Sequence, residues 1–308
     1  MRNLTSKLLA VLAFAVMFTA CEEELDLEGN SALQIKVAEL YLQAEGRASQ
    51  VFSAIDEGFR NPDYISNGTA ILSSGATFYN DAVSNAVLVD FGMGTVVGGD
   101  LIKGVISLDQ QGTNYQDNNA IVIAQLIGYS IDDSPVLGKI TLQNVTAVTG
   151  PESREITVED FTIQEEFQPD SINVFKLNSA TKLDWTAGST TPADITDDQY
   201  EVMGNNLTGS DIIGTLTPPG SAYYVSIDLD ITEKLVVSNA CDYSIISGLS
   251  TLTFGTSSTL EADEPFLTGG SLDFDREDTG LCDQFVRLEA NSKTGASLGF
   301  TLTLQKVN

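Results

Sequence analysis

Three patterns of apolar and polar residues follow one another along the chain. The first is an unbroken apolar run from Leu8 to Phe18. As a helix it would reach about 16 Å against roughly 30 Å of hydrocarbon, too short to span a bilayer. The second is a helical period. Val37, Tyr41, Ala44, Ala48, Phe52, Ile55 and Phe59 recur at steps of three and four, which predicts one apolar face on a helix of about 28 residues. Ser31 with Gln34 fits a capping box at its start, and Asn61-Pro62 ends it. Lys36, Glu39, Gln43, Arg47, Gln50 and Asp56 fall on the other side, so the expectation is a helix lying with its apolar stripe on a sheet.

From about Thr69 the pattern changes to short β-rich runs separated by Gly, Asn, Asp and Ser. The candidate strands are Ala70–Phe78, Ala86–Phe91, Leu101–Leu108, Ala120–Tyr129, Val136–Val148, Glu155–Gln164 and Ile172–Trp185. They continue with Tyr200–Asn206, Ile212–Leu216, Ala222–Val237, Tyr243–Phe254, Gly270–Phe274, Phe285–Ala290 and Ser297–Leu304. No helical period returns between them, so crossover helices are missing and the pairing should be antiparallel. The fold expectation is mainly β, with antiparallel meander or sandwich-like sheets preceded by one amphipathic N-terminal helix. Sandwich, barrel and extended meander stay open.

The first apolar run gains meaning from its flanks. Arg2 and Lys7 precede it, and Phe18-Thr19-Ala20-Cys21 closes it with small residues ahead of a cysteine. This resembles a bacterial lipoprotein signal, which implies cleavage of residues 1–20 and acylation of Cys21. Residues 22–30 then carry five acidic side chains and no basic one, a composition that cannot fold alone and suits a tether. An acidic run after the lipidated Cys also resembles the signal that sends lipoproteins of Bacteroidetes to the cell surface. The expected order is signal 1–20, tether 21–30, helix 31–62, a first β unit 63–150 and a second 151–308, the two units allowing one continuous domain. The expected location is the outer membrane, surface-facing rather than periplasmic.

Charge and composition narrow the chemistry. Fifteen Lys and Arg stand against 43 Asp and Glu, a net −28, so nucleic acid is a poor partner and the membrane should be met through lipid alone. There is no histidine, which removes the commonest general base and the commonest zinc ligand. With Cys21 assigned to lipid, Cys241 and Cys282 remain, and in an oxidising compartment two thiols most simply pair as a disulfide.

Short motifs recur further on. Val89-Asp90-Phe91-Gly92 leads through a turn to Val105-Ile106-Ser107-Leu108, and Leu272-Asp273-Phe274-Asp275 leads to Phe285-Val286-Arg287-Leu288, an internal echo that suggests a duplicated β unit. These motifs, with Asp184-Trp185-Thr186-Ala187-Gly188, Asp197-Asp198-Gln199-Tyr200, Asn239-Ala240-Cys241-Asp242 and Cys282-Asp283, resemble uncharacterised lipoproteins of Bacteroidetes that end in a Leu-Asp-Phe-Gly-type strand and a Cys-Asp turn. The chain departs from that pattern at Asp275, where the second Gly is expected. The resemblance implies a location and a β architecture, and it implies no activity.

Candidate chemistry is sparse. Asp273, Asp275 and Glu277 place carboxylates at positions one, three and five of a turn, the start of a calcium loop. The Gly at position six is replaced by Asp278, and position twelve is Gln284; a solvated turn between strands is the competing explanation. No other cofactor is expected. A glycosidase would need two carboxylates set apart by about 5–10 Å, and a glycan platform would need exposed aromatics, for which Trp185 is the single tryptophan. The expectation is a lipid-anchored exported β protein with a structural or binding role, a protein or glycan partner and no evident catalysis. The alternative is a carbohydrate-binding or carbohydrate-processing surface lipoprotein.

Overall fold

Helix α1 (Asn30–Arg60) is the axis of the molecule. In the computed structural model, which describes residues 30–112, 114–168, 171–191, 193–204, 212–217, 225–241, 245–256, 267–275, 282 and 284–304, no residue from Ser31 to Arg60 is exposed. The predicted stripe, Val37 to Phe59, is buried throughout, but so are Gln50 and Asp56 from the face expected to be solvated. The helix therefore does not lie on one sheet. It contacts β strands drawn from early, middle and late parts of the chain, because a sheet curls around it. Ser31 sits inside the helix, and the Gln34 amide is taken by Leu267, donating to its carbonyl at 2.7 Å and accepting its N–H at 2.8 Å. That contact replaces the expected capping box. A short helix α2 (Pro62–Asn67) follows, capped by Asn61 accepting the Asp63 N–H. Among the described residues no helix is long and apolar enough to cross a membrane.

The strands form one antiparallel meander. The first eight are β1 (Thr69–Ile71), β2 (Thr77–Asp81), β3 (Ala86–Asp90), β4 (Thr95–Val97), β5 (Asp100–Gln111), β6 (Ile121–Ile131), β7 (Ser134–Pro135) and β8 (Leu137–Asn144). Then come β9 (Ser153–Gln168), β10 (Ser171–Ala187), β11 (Gln199–Gly204), β12 (Ile212–Thr217), β13 (Val225–Ser238), β14 (Ile245–Thr256), β15 (Leu267–Asp273), β16 (Phe285–Ser292) and β17 (Ser297–Thr303). Pairing follows chain order except where a short strand is passed over, β3 pairing with β5 and β6 with β8. The short strands β11 and β12 share the gap between the long strands β10 and β13, one at each end. β8 pairs with β9, so the sheet runs unbroken across the boundary expected at residue 150. Inward positions alternate with outward ones, as in Val225, Ile227 and Leu229 of β13. Register shifts in β5–β6, β9–β10, β10–β11 and β13–β14 add the local bend and twist that let a sheet coil around a core.

The predicted strands differ from the structure at a few edges. Ala70–Phe78 is two strands, because Leu72 N–H donates to Ala76 and Gly75 N–H to Leu72, folding Ser73-Ser74-Gly75 into a turn. Val136–Val148 stops at Asn144, and the very short strands β4 and β7 carry too few residues to show a period. The internal echo is real as a local device. Asp90 and Asp273 each accept the N–H two residues on, and Phe91 and Phe274 are buried. Phe91 N–H donates to Gly104 on β5, later in the chain, however, whereas Phe274 N–H donates to Gly248 on β14, earlier in it. The two units share a strand ending rather than a common topology.

Candidate functional site

Six charged or phenolic side chains converge where α1 ends. Asp56 and Arg60 are one turn apart on the helix, so they face the same way. Arg60 Nη1 donates to Asp56 Oδ2 at 2.7 Å and to Asp198 Oδ2 at 2.6 Å. Tyr115 donates to Asp56 Oδ1 at 2.8 Å, and Tyr200 donates to Asp198 Oδ2 at 3.2 Å. Arg154 of β9 reaches Asp56 at 3.9 Å and pairs with Glu152 at 2.5 Å. Arg60, Asp56, Asp198, Arg154, Tyr115 and Tyr200 are all buried.

Rings line the cationic groups. The Arg60 guanidinium lies 4.4 Å from the Trp185 ring centre, and that of Arg154 3.9 Å from Tyr115, the cation–π arrangement that favours a desolvated cation. Burial would by itself lower the Arg60 pKa, but the charge of Asp56 and the bonds from both carboxylates raise it above its ordinary value. Burial pushes the Tyr200 hydroxyl well up, helped by the charges of Asp56 and Asp198. Both effects keep the donors protonated. Burial also raises the Asp198 carboxyl, against the pull of Arg60.

The backbone makes room for this arrangement at Gly188, whose φ is +88°. A Cβ there would stand 2.2 Å from Asp198 Oδ1 and 2.8 Å from Asp198 Cα, so only glycine fits. The 3₁₀ turn Ile195–Asp197 then delivers Asp198, with Asp194 capping its start. Asn239 N–H donates to the Asp198 carbonyl at 3.0 Å. Motifs scattered over the sequence, Asp184 to Gly188, Asp197 to Tyr200 and the Asn239–Cys241 turn, thus meet at a single place.

Beside the cluster lies an open groove of about 550 Å³. Its apolar floor holds Phe59, Tyr64 and Tyr115, with Phe59 stacked on Tyr115 at 4.6 Å between ring centres and set edge-on to Tyr64. Its walls are Asn80 and the segment carrying Gln110, Asn114, Gln116 and Asp117. Tyr64 donates to Asn80 Oδ1 at 2.9 Å, which leaves the Asn80 amide N–H groups as donors. Asp117 accepts the Asn114 N–H at 2.9 Å, and Asn144 donates to the Gln116 carbonyl at 2.9 Å, so the wall is braced from behind.

A second polar oddity lies about three turns earlier on α1. Glu45 of α1 borders a cavity of about 60 Å³ whose other lining includes Phe52, Val158, Leu183, Val202 and Leu235. Its Oε2 is buried with no hydrogen-bond partner among the described residues, as is the Tyr41 hydroxyl one turn earlier. Burial pushes the Glu45 carboxyl up to about 7.

The residues expected from sequence are placed as follows. Cys241 and Cys282 form the expected disulfide, Cα to Cα 5.4 Å. Cys21 and Glu277 lie outside the described residues. Asp273 ends β15 with its carboxylate accepting the Asp275 N–H at 3.1 Å, and among the described residues no group of three His, Cys, Asp or Glu is placed to hold a metal ion. Trp185 is 7 % exposed and stacked on Tyr200, so it is not an exposed platform. Asp56, Arg60, Tyr115 and Arg154 were not singled out by sequence as a site. The available signal was an Asp–Arg pair four apart at the end of the helix. The chain matches no known family model, no curated protein and no solved structure.

Proposed function

We propose that this chain is a lipid-anchored exported protein of a bacterial outer membrane, tethered through Cys21, that acts by binding and not by catalysis. The observation that carries this is the position of the groove. Chain continuity puts the tether at the start of α1, and a helix of 31 residues is about 46 Å long at 1.5 Å per residue. The groove opens at the opposite end, beside Phe59 and Tyr64. A ligand site held that far from the anchored end suits a protein that presents a surface away from a membrane. Two of the buried carboxylates fit a binding role. Asp56 and Asp198 are already engaged by Arg60 and two tyrosine hydroxyls, which leaves neither poised as a general acid or base.

The anchor is tested with Cys21→Ser. The expected outcome is release from the membrane fraction and loss of incorporated radiolabelled palmitate. Retention of the variant in the membrane, with no label in either form, would remove the anchor from this proposal.

A further inference from the structure

We infer that the groove at the end of α1 binds a neutral, hydroxyl-rich ligand, an oligosaccharide of about two or three sugar units; this rests on the binding role proposed above. Charge makes the first case. Acidic residues outnumber basic ones by 43 to 15 along the chain, yet of the ten residues lining this groove only Asp117 is ionisable at neutral pH. Asp117 is turned onto Asn114, accepting from its N–H at 2.9 Å and its side-chain amide at 3.3 Å. An anion would meet no cation here, and a cation would find one carboxylate already in use.

The polar groups that remain are amides. Gln110 and Gln116 make no side-chain hydrogen bond among the described residues, and Asn80 has donors to spare. Each amide both donates and accepts, and so does each sugar hydroxyl, so one wall can satisfy several hydroxyls without charge. Tyr64 and the largely exposed Ile65 supply apolar surface for the C–H face of a ring. A volume of about 550 Å³ falls inside the range of about 300–1,000 Å³ for small-ligand sites. The floor is fixed before any ligand arrives, since Tyr115 is held by Asp56 and by its stack on Phe59. A preformed site loses less entropy on binding.

The test is calorimetric titration of the detergent-solubilised full-length protein. The probes are neutral di- to tetrasaccharides of glucose, galactose, mannose and xylose, sulfated and uronic-acid counterparts of the same length, and uncharged tripeptides. At least one neutral sugar should bind, the charged counterparts should bind more weakly, and Asn80→Ala and Gln110→Ala should each weaken binding by about tenfold, the worth of one good hydrogen bond. Both side chains reach solvent, and an unchanged melting temperature would confirm that the variants fold. Sugar binding indifferent to both substitutions, or stronger for the charged series, would overturn the assignment. Binding of peptides alone would overturn the sugar class and keep the groove as a binding site. Binding of none of the probes would overturn the sugar class, while the anchor, tested separately through Cys21, would stand or fall on its own result.

Discussion

Arg60 is the residue on which most of the buried polar structure depends. It neutralises Asp56 and Asp198 at once, in a region where its side chain is 1 % exposed. Removing one partner of such a group leaves uncompensated charge in a low dielectric, which costs about 3–5 kcal/mol. Arg60→Met should therefore lower the unfolding free energy by about that amount in urea titration at pH 7. Lys139→Met, which breaks the solvent-exposed pair with Glu159, should change it by less than about 1 kcal/mol. Similar losses from the two variants would mean that the cluster is not a structural keystone. Glu45 offers a pH signature of opposite character. Its folded pKa of about 7 stands above the ordinary 4.5. The contribution is thus fully present below pH 4.5 and is lost as pH rises through 7, since the folded state resists giving up the proton. Glu45→Gln should remove that slope, gaining up to about 3 kcal/mol at pH 8 and little at pH 4, as read from chemical denaturation at the two pH values. An equal gain at both would place the effect in packing instead.

At the scale of elements, the helix shows how a local rule is reversed by its surroundings. Glycine inside an exposed helix costs about 1 kcal/mol relative to alanine, so Gly58→Ala would ordinarily stabilise. Here a Cβ at Gly58 would meet three atoms of the Phe78 ring at 2.1–2.5 Å, and Phe78, on β2, is fully buried against the helix. The expected outcome is a net loss of about 2 kcal/mol from overpacking, visible as a lower melting temperature; a rise would show that the β2 hairpin moves aside freely. The same enclosure explains what sequence made legible in α1 and what it did not. Seven apolar positions at helical spacing named the stripe from Val37 to Phe59 correctly. Gln34, Gln50 and Asp56 look solvated to any amphipathic pattern, because the pattern reports one face and the curled sheet covers both. Strands fared well where a period of two persists over five or more residues, as in β3, β13 and β16. They failed where three-residue pieces sit between glycines, as in β4.

Across the whole molecule, closure has to be achieved by long-range devices, since a meander pairs only neighbours in sequence. One is the helix, touched by β3, β9, β10, β12, β13 and β17. Another is the Cys241–Cys282 bridge, which closes a separation of 41 residues and should contribute about 4 kcal/mol in the chain-entropy model. Replacing both cysteines with serine, or adding a reductant, should lower stability by about that amount in thermal or urea unfolding. An unchanged transition would assign the work to the strands β13 to β16 alone. The sequence by itself determined the antiparallel β class, the extent of the long helix and the absence of histidine chemistry, because each depends on local period or on composition; it left the Cys241–Cys282 pairing as the simplest expectation, which the fold realised. Tertiary structure alone decided that the sheet coils round the helix and that Arg60 meets Asp198. It alone set Asn80 and Gln110 in the lining of one groove. Those contacts join residues far apart in the chain, and their geometry follows from the accumulated twist and bulges of many strands, which no short window of residues contains.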